Sequence, residues 1–322
     1  MSDDARPAVL LVGPVMQEIV AETLAPRFAL LTRDALTPQT APTVAAIAGF
    51  GQVPIDADLM ASLPALRVVS SFGVGYDAVD VAFAAAHGIV VTNTPDVLND
   101  EVADLAIGLL LATLRRIPQA DRFLRAGGWL GGPFPLTATL RGRRAGILGM
   151  GRIGKAIARR LEAFGVPVAY HSRRPQPDVA NAYYPDPVAL AQAVDILMVI
   201  VPGGPATRHL VNAQVLAALG KTGVLVNVAR GSVVDETALI AALEAGTILG
   251  AGLDVFEAEP QVPAALTARD DVVLLPHVGS ATHHTRNAMG RLVVDNVVAV
   301  LDGGAPLTPV PETPWPVPAR GS

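Results

Sequence analysis

The sequence predicts an α/β chain built on parallel sheets. Three observations carry that reading: short apolar runs alternate with stretches of helical character, the runs fall in two series divided by a long helical segment, and most are too apolar to keep one face in water. The first series is Val9 to Val12, Val68 to Ser71 and Ile89 to Thr92. Each is β-branched and short enough for a strand. Asp100 to Ile117 follows, rich in Ala, Leu and Ile, entered after Pro95 and expected to end near Pro118. It reads as a long helix and a connector between domains. The second series runs through Gly146 to Gly149, Val166 to Tyr170, Ile196 to Val201, Val224 to Val228, Leu249 to Val255 and Val272 to Leu275. Buried parallel strands account for it. From Thr285 to Leu301, residues Met289, Leu292, Val293, Val297 and Val300 share one helical face, which predicts a helix returning to the first domain. Pro306 to Ser322 is rich in proline and is expected to lie extended or partly disordered.

Bulk properties narrow the function. The 322 residues suffice for about two domains of ordinary size. A charged fraction of 16% against 51% hydrophobic residues excludes a disordered chain. With a net charge of -5 and no run of Lys or Arg, the chain lacks the basic footprint of nucleic-acid or anionic-membrane binding. No cysteine is present, so disulfides, thiolate metal sites and a catalytic thiol are excluded. Ala8 to Val12 is too short for a signal peptide, and no stretch reaches the ~18 apolar residues of a membrane span. A cytoplasmic protein without a metal is the expectation.

The most informative motif is Gly149-Met150-Gly151-Arg152-Ile153-Gly154, between the apolar run Ala145 to Leu148 and a helix expected over Lys155 to Phe164. In that setting the spacing fits a dinucleotide site. Gly149 allows a tight turn, Gly151 lets backbone amides approach a pyrophosphate at the helix N-terminus, and Gly154 lets helix and strand pack closely. The string alone would be weak in a chain with 30 glycines; its flanks give it weight. The next strand ends in His171-Ser172-Arg173-Arg174, where a site for NAD would place an acid against the ribose 2′-hydroxyl. A hydroxyl and two guanidiniums suit a 2′-phosphate instead, so NADP is favoured. The bland alternative is a pair of solvated loop charges.

Five separated segments then carry a resemblance over nearly the whole chain: Gly73-Val74-Gly75-Tyr76-Asp77, the glycine motif, Asn227-Val228-Ala229-Arg230-Gly231, Asp254-Val255-Phe256-Glu257-Ala258-Glu259-Pro260, and Pro276-His277-Val278-Gly279-Ser280-Ala281-Thr282. In order and spacing the chain resembles the D-isomer-specific 2-hydroxyacid dehydrogenases. The resemblance implies two doubly wound parallel-sheet domains. A Rossmann-type cofactor domain (100–285) is inserted into a flavodoxin-like substrate domain made from 1–99 and 286–322. It implies a homodimer joined through the cofactor domains and the connector helix. It further implies that Arg230 binds substrate, His277 exchanges the proton and Glu259 partners that histidine. Val74 and Gly75 would contact the substrate. Besides the glycine motif and the Ser172 segment, Val201, Pro202, Val228, Ala229, Arg230, Asp254, His277 and Gly279 would border the cofactor, with Arg152 and Ile153 at the pyrophosphate.

These roles agree with the chemistry of 2-oxo acid reduction, in which a hydride reaches the carbonyl carbon and a proton its oxygen. Arg230 can bridge a carboxylate and a carbonyl oxygen through its planar fork. A histidine can both give and take a proton, as reduction and oxidation require of His277, and a carboxylate at Glu259 would orient its ring. Taken singly, Arg230 could cap a strand end, Glu259 could be a surface acid, His277 a core histidine, and Asp254 a buried acid held by backbone donors. Asn93 to Leu98, Trp129 and Phe134 to Thr137 look most like the glyoxylate and hydroxypyruvate reductase branch. NADPH-preferring reduction of those acids is the expected function. Aryl 2-oxo acid reduction of the hydroxyphenylpyruvate type, and a cofactor-sensing role like that of the related corepressors, are the alternatives.

Overall fold

Five parallel strands form the first sheet: β1 (Ala8–Val12), β2 (Ala29–Thr32), β3 (Val44–Phe50), β4 (Val68–Phe72) and β5 (Val90–Thr92), in the order β2-β1-β3-β4-β5. They belong to a computed structural model of the protein that describes residues 6–14 and 17–316. The strand order is the flavodoxin-like one, reversing direction between β1 and β3. Every residue of β4 and β5 is buried, as is all of β3 but Phe50, so these strands lie in the interior of an α/β layer. Leu10, Ile47, Ile55, Leu63 and Val69 share its core. The helix His283–Leu301 packs on this sheet, where Ser70 donates its hydroxyl to the Val293 carbonyl. It starts two residues before the expected Thr285, because Thr282 caps it by accepting the Thr285 amide.

The proline-rich end is extended, as expected, and part of it is well packed. Pro309 pairs antiparallel with Thr92, and the Val310 amide donates to Val91. Val310 and Thr313 are buried, and Thr313 accepts the Val91 amide at its hydroxyl. The segment covers the open edge of β5. Residues 317–322, included in that expectation, lie outside the described ones.

The second sheet holds β6 (Ala145–Leu148), β7 (Val168–His171), β8 (Ala182–Tyr183), β9 (Ile196–Val199), β10 (Val224–Asn227), β11 (Gly250–Leu253) and β12 (Val272–Leu274). All are parallel, in the order β8-β7-β6-β9-β10-β11-β12. Counted within this sheet the order is 3-2-1-4-5-6-7, the doubly wound dinucleotide-binding arrangement with one strand added. The chain divides into two compact units, Met1–Leu98 with Ala281–Ser322, and Asn99–Ser280. The predicted pair of doubly wound parallel sheets is therefore present.

Two details depart from the sequence reading. The helix expected over Asp100 to Ile117 is Asn99–Arg115; Arg116 takes a left-handed φ of 50° and a second helix, Ile117–Arg125, follows. Pro118 begins that helix instead of ending the first, since the first turn has no use for its missing N–H. The helix after the glycine motif is Arg152–Ala163, with Gly151 as its N-cap, and starts three residues earlier than expected. Among the described residues no helix is long and apolar enough to cross a membrane, and no group of His, Cys, Asp or Glu is placed to hold a metal ion.

Candidate active site

Within the second unit, the singled-out residues gather at the carboxyl ends of neighbouring strands, where open parallel sheets bind ligands. The glycine turn follows β6, at the point where strand order reverses between β6 and β9. Gly149 has a φ of +106°, and a Cβ there would stand 2.6 Å from the Ile200 carbonyl oxygen. Only glycine fits so close to the exit of β9, which leads on to Val201 and Pro202. A Cβ on Gly154 would fall 2.0 Å from the Gly149 carbonyl oxygen, so helix and turn are in backbone contact. Gly151 faces open space and, as the N-cap, has no side chain to satisfy the first helical turn. Met150 is buried beneath the turn. An open cradle of first-turn amides fits a pyrophosphate.

The turn after β7 carries Ser172, Arg173 and Arg174. Both arginines are exposed, and among the described residues neither guanidinium enters an ion pair or side-chain hydrogen bond. Their charge is unspent within the protein, at the strand that follows the glycine motif. Residues 171–174, where an acid would stand against a ribose hydroxyl, include no carboxylate.

Arg230, Glu259 and His277 follow β10, β11 and β12 in turn, and the structure brings them together. Asn227 staples the first of these turns: its side chain accepts the Ala229 amide at 3.1 Å and donates to the Arg230 carbonyl at 3.0 Å. Gly231 then presses on the next turn so closely that a Cβ would stand 1.8 Å from the Phe256 carbonyl carbon. Glu259 uses both carboxylate oxygens, one accepting the Phe256 amide at 3.0 Å and the other pairing with His277 Nδ1 at 2.9 Å. Burial pushes the Glu259 carboxyl up, but the hydrogen bond and charge of His277, the Phe256 amide and the Arg230 guanidinium outweigh it and hold the group below its ordinary value. Glu259 is therefore an anion held on Nδ1 of the His277 ring.

His277 itself has a left-handed φ of 53°, rare for a residue with a side chain. Asp254, only 1% exposed, accepts the amides of Val278 and Gly279 at its two carboxylate oxygens, both at 2.8 Å. This is the bland reading foreseen for Asp254, and it also fixes the turn that carries His277. Burial raises the Asp254 carboxyl despite those two amides. The staple by Asn227 and the close approach at Gly231 were not anticipated; the adjacency of Asn, Arg and Gly in one motif was their only trace.

In the first unit, Val74 and Gly75 follow β4. The Asn93 side chain donates to the Val74 carbonyl at 2.8 Å and the Thr94 amide to the Gly73 carbonyl at 2.9 Å, which closes the loop from one side. Among the described residues, the amides of Val74 and Gly75 have no protein acceptor. Two such amides on a glycine-flanked turn can receive a carboxylate.

Comparison with known proteins agrees with this geometry. A family model for the D-isomer specific 2-hydroxyacid dehydrogenase NAD-binding domain matches residues 107–279. The chain is 53% identical over 268 residues to glyoxylate/hydroxypyruvate reductase A of Arabidopsis thaliana, covering 83% of this chain and 86% of that protein. It is 51% identical to hydroxyphenylpyruvate reductase of Plectranthus scutellarioides over 278 residues, 86% of this chain and 88% of the relative. Among solved structures, the NADPH-dependent glyoxylate/hydroxypyruvate reductase of Sinorhizobium meliloti in complex with NADP and malonate matches with a TM-score of 0.92 and 54% identity, covering 96% of this chain and 98% of that one.

Proposed function

Since the chain belongs to the D-isomer-specific 2-hydroxyacid dehydrogenase family, we propose that it reduces glyoxylate- and hydroxypyruvate-type 2-oxo acids with NADPH, through Arg230, Glu259 and His277. The protein is an NAD(P)-dependent oxidoreductase, which sets aside a purely cofactor-sensing role. The observation that carries the mechanism is the Glu259–His277 pair at 2.9 Å beside Arg230. When bound, the nicotinamide supplies the hydride. Arg230 holds the substrate carboxylate and polarises its carbonyl, the cation stabilising charge that develops on oxygen. Nε2 of His277 delivers the proton to that oxygen, while Glu259 fixes the orientation of the ring. Val74 and Gly75 receive the substrate carboxylate at their amides.

The NADP preference rests on the unpaired Arg173 and Arg174 beside Ser172. Gly149 to Gly154, Val201, Pro202, Val228, Ala229, Asp254 and Gly279 border the cofactor in this reading. Residues 1–99 and 286–322 serve the substrate, and 100–285 the cofactor. A cytoplasmic homodimer is the assembly proposed: Ile117, Leu124, Trp129, Leu130 and Leu136 expose large apolar side chains within one segment of the second unit, as a subunit interface does. An aryl 2-oxo acid is the second substrate reading, supported by the 51% identity to hydroxyphenylpyruvate reductase. The test is oxidation of NADPH and NADH with glyoxylate, hydroxypyruvate and hydroxyphenylpyruvate. Fast NADPH turnover on the first two, lost in His277→Ala, supports the proposal; turnover confined to the aryl acid overturns the substrate assignment, and preference for NADH overturns that of the cofactor.

A further inference from the structure

The exposed turn that carries Ser172, Arg173 and Arg174 is tied to the protein interior by a buried phenol. Tyr170 lies in β7 and is 1% exposed, yet its hydroxyl accepts the backbone amide of Gln176 at 2.9 Å, at the far end of the turn. Tyr183, in the neighbouring β8, donates its hydroxyl to the Ser172 carbonyl at 3.3 Å, at the near end. The two rings stand 5.5 Å apart. Between these anchors Ser172 donates its own hydroxyl to the Arg174 carbonyl at 2.6 Å. Three hydroxyls thus hold the backbone of one turn, while the arginine side chains it carries remain exposed.

A phenylalanine would fill the space of the Tyr170 ring with no polar group to satisfy, and burying a hydroxyl is costly unless it is bonded. Here the bond goes to a single loop amide, so the hydroxyl reports on the shape of the turn. A turn fixed in advance places both guanidiniums without an ordering cost at binding, and recognition of a phosphate by paired hydrogen bonds depends on such placement. We infer that Tyr170 is a positioning residue for cofactor choice: its hydroxyl fixes the turn of residues 172–176 so that Arg173 and Arg174 meet the 2′-phosphate of NADP, and it favours NADP over NAD without touching either. The inference rests on the proposed assignment of this turn to the 2′-phosphate.

Calorimetric titration of the full chain with NADP⁺ and with NAD⁺ tests it, on Tyr170→Phe, Gln176→Pro and the double variant Arg173→Ala/Arg174→Ala. Gln176→Pro deletes the same hydrogen bond from the loop side, along with the 3.5 Å contact of the Gln176 side chain with the Arg174 carbonyl, and leaves the interior untouched, so the test survives if Tyr170→Phe fails to fold. Both single variants are expected to weaken NADP⁺ about fivefold and NAD⁺ less than twofold, which is about 0.5–1 kcal/mol of lost discrimination. Equal weakening of both cofactors, or no change in either, overturns the positioning role when the arginine variant still loses its NADP⁺ preference. If the arginine variant keeps that preference, the phosphate assignment itself falls, and the role of Tyr170 with it.

Discussion

Asp254 holds His277 in a left-handed backbone conformation. The Asp254 carbonyl accepts the His277 amide at 2.8 Å, and its carboxylate accepts the next two amides at the same distance. A non-glycine residue in this region costs about 1–3 kcal/mol. Hydrogen bonds to a charged acceptor contribute about 1.5–3 kcal/mol each, so two of them are enough to hold the strained turn. The strain is local to the residue proposed to exchange the proton.

Asp254→Asn should therefore cost activity through His277. An amide keeps one acceptor oxygen and turns its NH₂ toward an amide that needs an acceptor. The expected outcome is a fall in kcat of about 10–100-fold, as for a proton donor displaced by a fraction of an ångström, with a loss of stability of about 1–3 kcal/mol. An unchanged kcat with hydroxypyruvate would show that the turn keeps its shape without the second oxygen.

The Glu259 pair predicts a pH dependence of stability. A carboxylate held below its unfolded pKa adds stability that is complete above the unfolded value and is lost as pH falls through the folded one. Glu259 is such a group. Thermal melts of the wild type and Glu259→Gln should differ near pH 6 and converge as pH falls below about 4. A gap that widens in acid would mean that the carboxylate is not the stabilising partner. For Asp254 the sign is opposite, because burial raises its folded pKa and ionisation above the ordinary range costs stability.

Much of the architecture was legible because buried parallel strands are written as apolar runs. β4, β9 and β10 were read almost to their ends on that ground. The strands passed over have physical reasons for it. β2 and β8 are edge strands of four and two residues, with half of each exposed, and so lack the length and burial that mark a core strand. β3 is buried but is built of Ala and Gly around Ile47, without the β-branched signal. At the site, Arg230, Glu259 and His277 stood out through the family resemblance of the motifs that carry them; taken singly each had a bland reading. The backbone bonds of Asp254 were foreseen as its bland reading, but the staple by Asn227 was not, since a side chain bonded to a nearby backbone leaves no periodic trace.

Arg230→Lys keeps the charge and removes the planar fork. If Arg230 bridges carboxylate and carbonyl oxygen, kcat/KM for glyoxylate should fall about 10²–10³-fold, comparable to removal of one oxyanion donor. Lysine restoring more than half the activity would reduce Arg230 to a point charge.

Arg173→Ala with Arg174→Ala should raise KM for NADPH at least about tenfold, roughly 1.4 kcal/mol, and leave kcat with saturating NADPH near the wild-type value. KM for NADH should stay flat or fall, because the guanidiniums contribute nothing to an unphosphorylated ribose. Parallel losses with both cofactors would place the arginines in general support of the turn.

Gly231 sets the distance between the turn that carries Arg230 and the segment that carries Glu259. A Cβ at this position would lie 1.8 Å from the Phe256 carbonyl carbon, 2.0 Å from its oxygen and 2.3 Å from the Glu257 nitrogen. All three are backbone atoms, so no side chain can swing aside and the two turns must separate. Gly231→Ala is expected to cost about 3 kcal/mol or more in stability, beyond ordinary overpacking. A separation of about 1 Å between Arg230 and the His277–Glu259 pair should lower kcat/KM about 100-fold in whatever protein remains folded. Gly108 in the helix Asn99–Arg115 offers the contrast, since a Cβ there meets nothing within 4 Å and the position is exposed. Gly108→Ala should stabilise the chain by about 0.5–1 kcal/mol through helix propensity alone and leave kcat/KM unchanged. Denaturant melts and hydroxypyruvate kinetics on the two variants separate the effect of close backbone approach from that of any added methyl group. Equal behaviour of the two would mean that the turns beside Arg230 can part without consequence.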